Sequence, residues 1–198
     1  EELDAHQAVV DTFRDEKSDK IRFQVARAMF NKAVALGQLD RNEEALDAYQ
    51  AVVDTFRDEK SDEIRLHAAM AMLNKGFTLG QLDRNKGALD ANQAVIDTFY
   101  GEKSDEMRLQ VAMAMVNKGV TLGKLDRNEE ELSAYQSVVD TFCAAESDEI
   151  RLQVAKAMWC KGKCLAANGN LHEALKVYED CVQRFGNETT GVMLRAAT

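Results

Sequence analysis

Proline is absent from all 198 residues, and glycine occurs only 11 times. Without proline nothing locks φ or removes a backbone donor, so long uninterrupted helices with short joints are permitted. Cysteine is also scarce. Cys143, Cys160, Cys164 and Cys181 all fall in the last third, too few and too clustered for a secreted disulfide framework. Reduced thiols in a cytoplasmic protein are the expected state. Basic charge is in deficit, with 25 Lys and Arg against 34 Asp and Glu and a net charge of −9. That disfavours a nucleic-acid backbone partner, which needs a basic stripe, and likewise adsorption to anionic lipid. No apolar run approaches the length of a membrane span. The expected partner is therefore a protein or peptide, with no nucleic acid and no membrane. Glu1-Glu2-Leu3 does not read as a secretion signal, although a processed chain would begin the same way.

What is present is a repeat. The segment Val52-Val53-Asp54-Thr55-Phe56 recurs at Val9–Phe13, Val95–Phe99 and Val138–Phe142, 43 residues apart each time. One further period lands on Cys181-Val182-Gln183-Arg184-Phe185, which keeps the valine and the phenylalanine. Ser18–Lys60 and Ser61–Lys103 agree at 28 of 43 positions. So regular a period predicts a quasi-one-dimensional stack in which each unit packs on its neighbours.

Each unit carries two helical patterns. In the third, Ser104 caps a helix that runs to about Leu125, with Asp105 and Glu106 in its first turn. A second runs from Asn128 to Phe142, after the turn Asp126-Arg127-Asn128. In the fourth, Gly169-Asn170 forms the turn, and Glu173 three residues after Asn170 suggests a capping box. Projected at 100° per residue, Val111, Met115, Lys118 and Leu122 share one side of the first helix. Met113, Val116, Asn117, Val120 and Lys124 share the other, and Ala112, Gly119 and Gly123 form a small flank between. The first apolar side serves the hairpin partner. The second is either buried between units or lines a groove.

These residues resemble the tetratricopeptide repeat family in a long-unit form, with 43 residues in place of roughly 34. Met72-Leu73-Asn74-Lys75-Gly76-Phe77-Thr78-Leu79-Gly80 and its copies carry the likeness, as does Glu44-Ala45-Leu46-Asp47-Ala48-Tyr49. The family's small helix-contact position falls on Ala33, Gly76, Gly119 and Gly162. Its second-helix alanine falls on Ala45, Ala88 and Ala174, and its aromatic on Tyr49, Tyr135 and Tyr178. Glu131 departs from the alanine and Asn92 from the aromatic. Lys32, Lys75, Lys118 and Lys161 stand where leucine is usual, their stems expected to cover apolar surface while the amines reach water. The resemblance implies an all-α fold, an α-solenoid of antiparallel helix-turn-helix repeats forming a right-handed superhelix.

The expected organisation is a single solenoid fragment over 1–198. Residues 1–17 hold the second helix of a partial unit; 18–60, 61–103, 104–146 and 147–189 are the repeats, and 190–198 start a further truncated helix. Neither end has the polar outer face of a capping element.

In the family the first helices line the concave face, where an asparagine often bonds a bound peptide's backbone. Here Asn31, Asn74 and Asn117 recur at one period, with Cys160 in the fourth unit. An amide offers donor and acceptor together, so such a ladder suits an extended chain; the alternative is that each asparagine bonds within the stack. Beside it run Phe30, Leu73, Val116 and Trp159, with Val34, Phe77 and Val120 one turn on. Trp159, the only tryptophan, is either a binding anchor or inter-unit core. Arg27, Met70, Met113 and Lys156 lie one turn earlier. The two basic residues either clamp acidic groups around an adaptable methionine patch or pair with local carboxylates.

Signals for chemistry are weak. Cys160 and Cys164 lie four apart on one helix, but no third metal ligand is assigned, and packed free thiols are the better reading for them and for Cys181. Asp54, Asp97 and Asp140 recur as surface architecture does, whereas catalysis needs one distinctive constellation. His6 and His67 have no triad partners at a recognisable spacing, and His172 reads as a solvated residue in the second helix's first turn. The expectation is a non-catalytic module without metal or cofactor that binds a protein or peptide on the concave face. The alternative is a structural or self-associating scaffold stacking end to end through uncapped repeats.

Overall fold

The computed structural model describes residues 2–13 and 16–186; the expected helix start at 190–198 lies outside them. Among the described residues are nine helices and no strand. They are α1 (Glu2–Phe13), α2 (Asp19–Gln38), α3 (Asn42–Phe56), α4 (Asp62–Gln81), α5 (Asn85–Phe99), α6 (Asp105–Lys124), α7 (Asn128–Phe142), α8 (Asp148–Ala167) and α9 (Leu171–Phe185). The chain divides into two compact units, Glu1–Phe99 and Tyr100–Thr198. In the first, α1 to α5 pack consecutively and α2 also packs on α4. In the second, α6 to α9 pack consecutively and α6 also packs on α8. The architecture is an all-α solenoid of paired helices.

Each pair is joined by three residues, and their conformation explains the sharp reversal. Asp40, Asp83 and Asp126 adopt left-handed φ of 57°, 55° and 56°, and Gly169 takes the same place at 82°. The following N–H reaches back across the helix end, as from Arg41 to the Leu36 carbonyl at 3.0 Å and from Arg127 to that of Leu122 at 3.0 Å. These bonds satisfy carbonyls that the helix end leaves open. At the N-termini, Ser104 accepts from the Met107 N–H and Ser147 from that of Ile150, while Ser18 and Ser61 make no such side-chain bond. The capping box expected at Asn170 is not formed. With φ −83° and ψ 55°, Asn170 lacks the extended backbone that aims a cap side chain at the first turn.

From the second copy on, the recurring signature is core, whereas Phe13 of the first copy is exposed. Val52, Phe56, Val95, Phe99, Val138 and Phe142 are all buried, as are Cys181 and Phe185 in the divergent copy. Each buried phenylalanine contributes about 1.5–3 kcal/mol by leaving water. An arginine from the same unit's first helix covers three of these rings: Arg22 over Phe56, Arg108 over Phe142 and Arg151 over Phe185, at 5.7, 5.9 and 5.5 Å. The lysines that replace leucine differ from expectation. Lys32 donates to Gln7 Oε1 at 2.6 Å, and Lys75 to Gln50 and Lys161 to Gln136 at 2.5 Å. Their amines thus clasp the preceding repeat's second helix. A partly buried ammonium gains more from a fixed amide oxygen than from ending in bulk water.

Candidate functional site

The first helices carry the candidate residues, and burial sorts them. Phe30, Leu73 and Val116 are buried in the stack. One turn on, Phe77 is 59% and Val120 42% exposed, while Val34 and Trp159 are half-buried. A step of four residues turns a side chain by only about 40° and moves it one turn along the axis, so both rows share a helix side and differ in how far the neighbouring helix covers them. One turn earlier, Met70, Met113 and Lys156 are half-buried, and Arg27 is exposed near His67. His67 lies edge-on to Phe23 at 5.2 Å, and its Nδ1–H donates to the Glu63 carbonyl at 3.0 Å. Burial pushes its pKa below the ordinary 6.5.

Asn31, Asn74 and Asn117 are half-buried. In the first unit Asn74 hydrogen-bonds the Tyr49 hydroxyl. In the second unit Cys160, at the same register, is bonded to Tyr135. At these two places the position faces the tyrosine of the preceding second helix, whereas ahead of Asn117 that tyrosine is replaced by Asn92.

In the second unit α6, α7 and α8 enclose an open groove of about 460 Å³. Trp159 and Val120 form apolar walls, Tyr135 and Cys160 line it, and Glu131, Lys163 and Cys164 reach into it. Asn128 donates its amide to Asn168 at 3.2 Å at one end. The Cys164 thiol donates to Glu131 Oε2 at 3.2 Å. Burial, reinforced by that carboxylate, raises its pKa to about 11, so the thiol keeps its proton at neutral pH. Cys160 is also raised, chiefly by burial. Tyr135 is raised chiefly by burial and then by the neighbouring Cys160 and Glu131, so its hydroxyl keeps its proton at neutral pH. The Lys163 ammonium sits 4.5 Å from the Trp159 ring centroid. All four cysteines are free thiols.

Glycine makes this arrangement possible. A Cβ at Gly123 would lie 2.8 Å from Glu131 Oε1, so the carboxylate occupies space that any side chain there would fill. A Cβ at Gly119 would lie 2.8 Å from two Tyr135 ring atoms and closer to a third. Of the groove residues, the sequence reading picked out Trp159 and Val120 as binding residues. It missed Glu131, Lys163, Asn128 and Asn168, and treated Cys164 only as a packed thiol. The available signal was departure from the repeat, since Glu131 stands where the other units have Ala45, Ala88 and Ala174.

A tetratricopeptide repeat family profile matches residues 27–58, spanning most of α2 and all of α3. The same two-helix unit recurs through the chain. It is a repeat protein of the tetratricopeptide type. None of the curated proteins matches it. Tetratricopeptide repeats are generally protein-interaction modules, and the family is typically non-catalytic. No helix among the described residues is long and apolar enough to cross a membrane.

Proposed function

We propose that this tetratricopeptide array is a non-catalytic peptide-binding module that holds its ligand against the face formed by the first helices. The observation that carries the reading is the open groove between α6 and α8, where Val120 and Trp159 leave apolar surface uncovered beside polar groups. Phe77 offers a similar exposed anchor on α4 in the first unit. Burying such surface yields about 25 cal/mol per Å², reduced by the cost of ordering the peptide. The amides of Asn31, Asn74 and Asn117 supplement these anchors. Asn74 spends one bond on Tyr49, and an amide has about four hydrogen-bonding sites in all, so capacity remains for a peptide backbone. The free thiols and acidic composition suit a reducing, cytoplasmic setting.

The test is selection of peptides from a displayed random library on the purified chain, with affinities measured by calorimetry. Val120→Glu and Phe77→Glu lie on exposed positions and should leave helix content unchanged. Each is expected to weaken peptides seated on its own unit at least tenfold, and the combined Asn31→Ala, Asn74→Ala and Asn117→Ala variant to weaken extended binders. Selected peptides that ignore all of these changes would show that the ligand face lies elsewhere.

A second reading, self-association, has one observation in its favour. On α9, Leu171, Leu175 and Val182 are 67%, 54% and 55% exposed and share a stripe with Tyr178. In repeat register, Leu175, Tyr178 and Val182 correspond to Leu46, Tyr49 and Val53 of α3, which are buried where α4 packs on that helix. Sedimentation over a range of concentrations distinguishes the readings. Association abolished by Leu175→Glu with Val182→Glu supports a scaffold, and a monomer throughout rules it out.

A further inference from the structure

In a repeat array, side chains that recur with the period are architecture, and those that break it are free to serve a ligand. Four of the breaks in this chain converge on one groove. Glu131 replaces an alanine, Trp159 stands where the other units have Phe30, Leu73 and Val116, and Cys160 replaces an asparagine. Lys163 replaces the apolar Val34, Phe77 and Val120. Four departures on two helices, α7 and α8, line the same 460 Å³ of space.

Their chemistry is specific. Glu131 accepts one uncharged donor, the Cys164 thiol at 3.2 Å, and lies beside Tyr135; a carboxylate has about four acceptor sites, so room remains for a forked donor. The indole of Trp159 already holds a cation, because Lys163 lays its ammonium over the ring. Between carboxylate and indole the walls include Val120 and Ala167, which suit an aliphatic stem. The volume falls in the range of about 300–1,000 Å³ typical of small-ligand clefts and admits one long side chain. The net charge of −9 favours approach of a basic partner.

We propose that this groove is a socket for one arginine side chain of a bound peptide. Its guanidinium forks onto Glu131, its stem lies against Val120 and Trp159, and it displaces Lys163 from the indole. A planar guanidinium pairs bidentately with a carboxylate and stacks on an aromatic face, which an ammonium does less well. The inference rests on the peptide-binding reading and names the ligand chemistry of one part of it.

Because Trp159 is the only tryptophan, emission excited at the red edge of the absorption band, where tyrosine does not absorb, reports on this groove alone. The full chain is titrated with three acetylated, amidated tripeptides that differ only in a central Arg, Gln or Glu. The arginine peptide should give a saturable change in emission, with the glutamine and glutamate peptides at least tenfold weaker. Glu131→Gln keeps shape and most hydrogen bonding but removes the charge, and should weaken the arginine peptide about tenfold. Gly123→Ala should do the same with Glu131 intact, since its methyl takes the carboxylate's place. Equal binding of the glutamine peptide, or an affinity indifferent to Glu131→Gln, overturns the socket. If library-selected peptides shift Trp159 regardless of their charge, the groove binds but the arginine assignment is wrong. If they bind without moving Trp159 and respond to Phe77→Glu, the socket is wrong and the broader binding reading stands.

Discussion

Replacing Gly119 by alanine should destabilise the protein, although alanine is the better helix former. The propensity gain at a helix-interior position is about 1 kcal/mol. Against it stands the Tyr135 ring, two of whose atoms would lie 2.8 Å from the new Cβ and a third nearer still. Comfortable carbon contacts are about 3.5–4.0 Å, so the overlap is on the order of 1 Å over three atoms. Tyr135 cannot step aside into solvent, because it is 2% exposed and its hydroxyl is held by Cys160 and Glu131. Overpacking of this kind costs roughly 1–3 kcal/mol, and a hydroxyl pulled away from its polar neighbours adds about 1 kcal/mol. The first repeat sets a bound, since Ala33 there coexists with a buried Tyr49 whose neighbours include Phe30 rather than a valine. A ring shift is therefore attainable, and the net loss should be about 1–2 kcal/mol. Gly76→Ala is the internal control. Its Cβ would meet Ala91 at 3.3 Å and the Asn92 amide at 3.4 Å, an overlap of a few tenths of an ångström. Propensity should win there, with a gain of about 0.5 kcal/mol. Urea midpoints followed by circular dichroism measure both. Equal shifts in the same direction would refute the assignment of Tyr135 as the obstacle.

Stability should fall as pH drops from about 6.5 towards 5, because His67 has its folded pKa lowered from 6.5 by burial. The unfolded chain then binds the proton that the folded one refuses, so the contribution is complete above the unfolded value and lost through the folded one. His67→Gln should flatten this window; an unchanged profile would assign the dependence to other groups. Asp126→Gly should raise the unfolding free energy from urea titration by about 0.5–1 kcal/mol, since Asp126 holds φ at 56° at a helix end where glycine carries no Cβ penalty. Gly169→Ala, at φ 82°, should lower it by a similar amount. Shifts of the opposite sign would mean that side-chain interactions, not φ, govern these turns.

The sequence made the fold legible because its strongest signal is not local. A 43-residue period places Val52, Val95 and Val138 in equivalent environments whatever their intrinsic propensities, and all three are fully buried. Helix ends were legible to within a residue or two because aspartate or asparagine marks every turn within a pair, with Gly169 between two asparagines in the last. The candidate site was only partly legible. Periodicity put Phe30 and Phe77 on the same helix side, but not which would be covered, since that depends on how a neighbouring helix rotates about its axis. Glu131 was visible as an anomaly. Its meeting with Cys164 and Tyr135 was not, because these residues lie on neighbouring helices with no sequence spacing to announce them. The lysine–glutamine clasps escaped for the same reason, each joining residues 25 apart.

The asparagine ladder needs a sharper test than deletion, because its position already has a structural duty. Asn74 bonds Tyr49 in one unit, and Cys160, at the same register, bonds Tyr135 in the other. A thiol cannot supply the paired donor and acceptor that an extended peptide backbone takes from an amide, yet it still bonds the tyrosine. What survives the Asn-to-Cys replacement is the architectural bond, so loss of affinity in Asn74→Ala does not by itself place the amide on a ligand. A double-mutant cycle with Tyr49→Phe separates the roles. Tyr49→Phe removes the hydroxyl, should cost about 1 kcal/mol of stability, and leaves Asn74 free for a peptide. If the amide contacts the ligand, Asn74→Ala will weaken a library-selected first-unit peptide as much in the Tyr49→Phe background as in the parent chain. If the weakening disappears in that background, Asn74 acts by holding Tyr49, and the ligand contacts must come from the exposed row around Phe77.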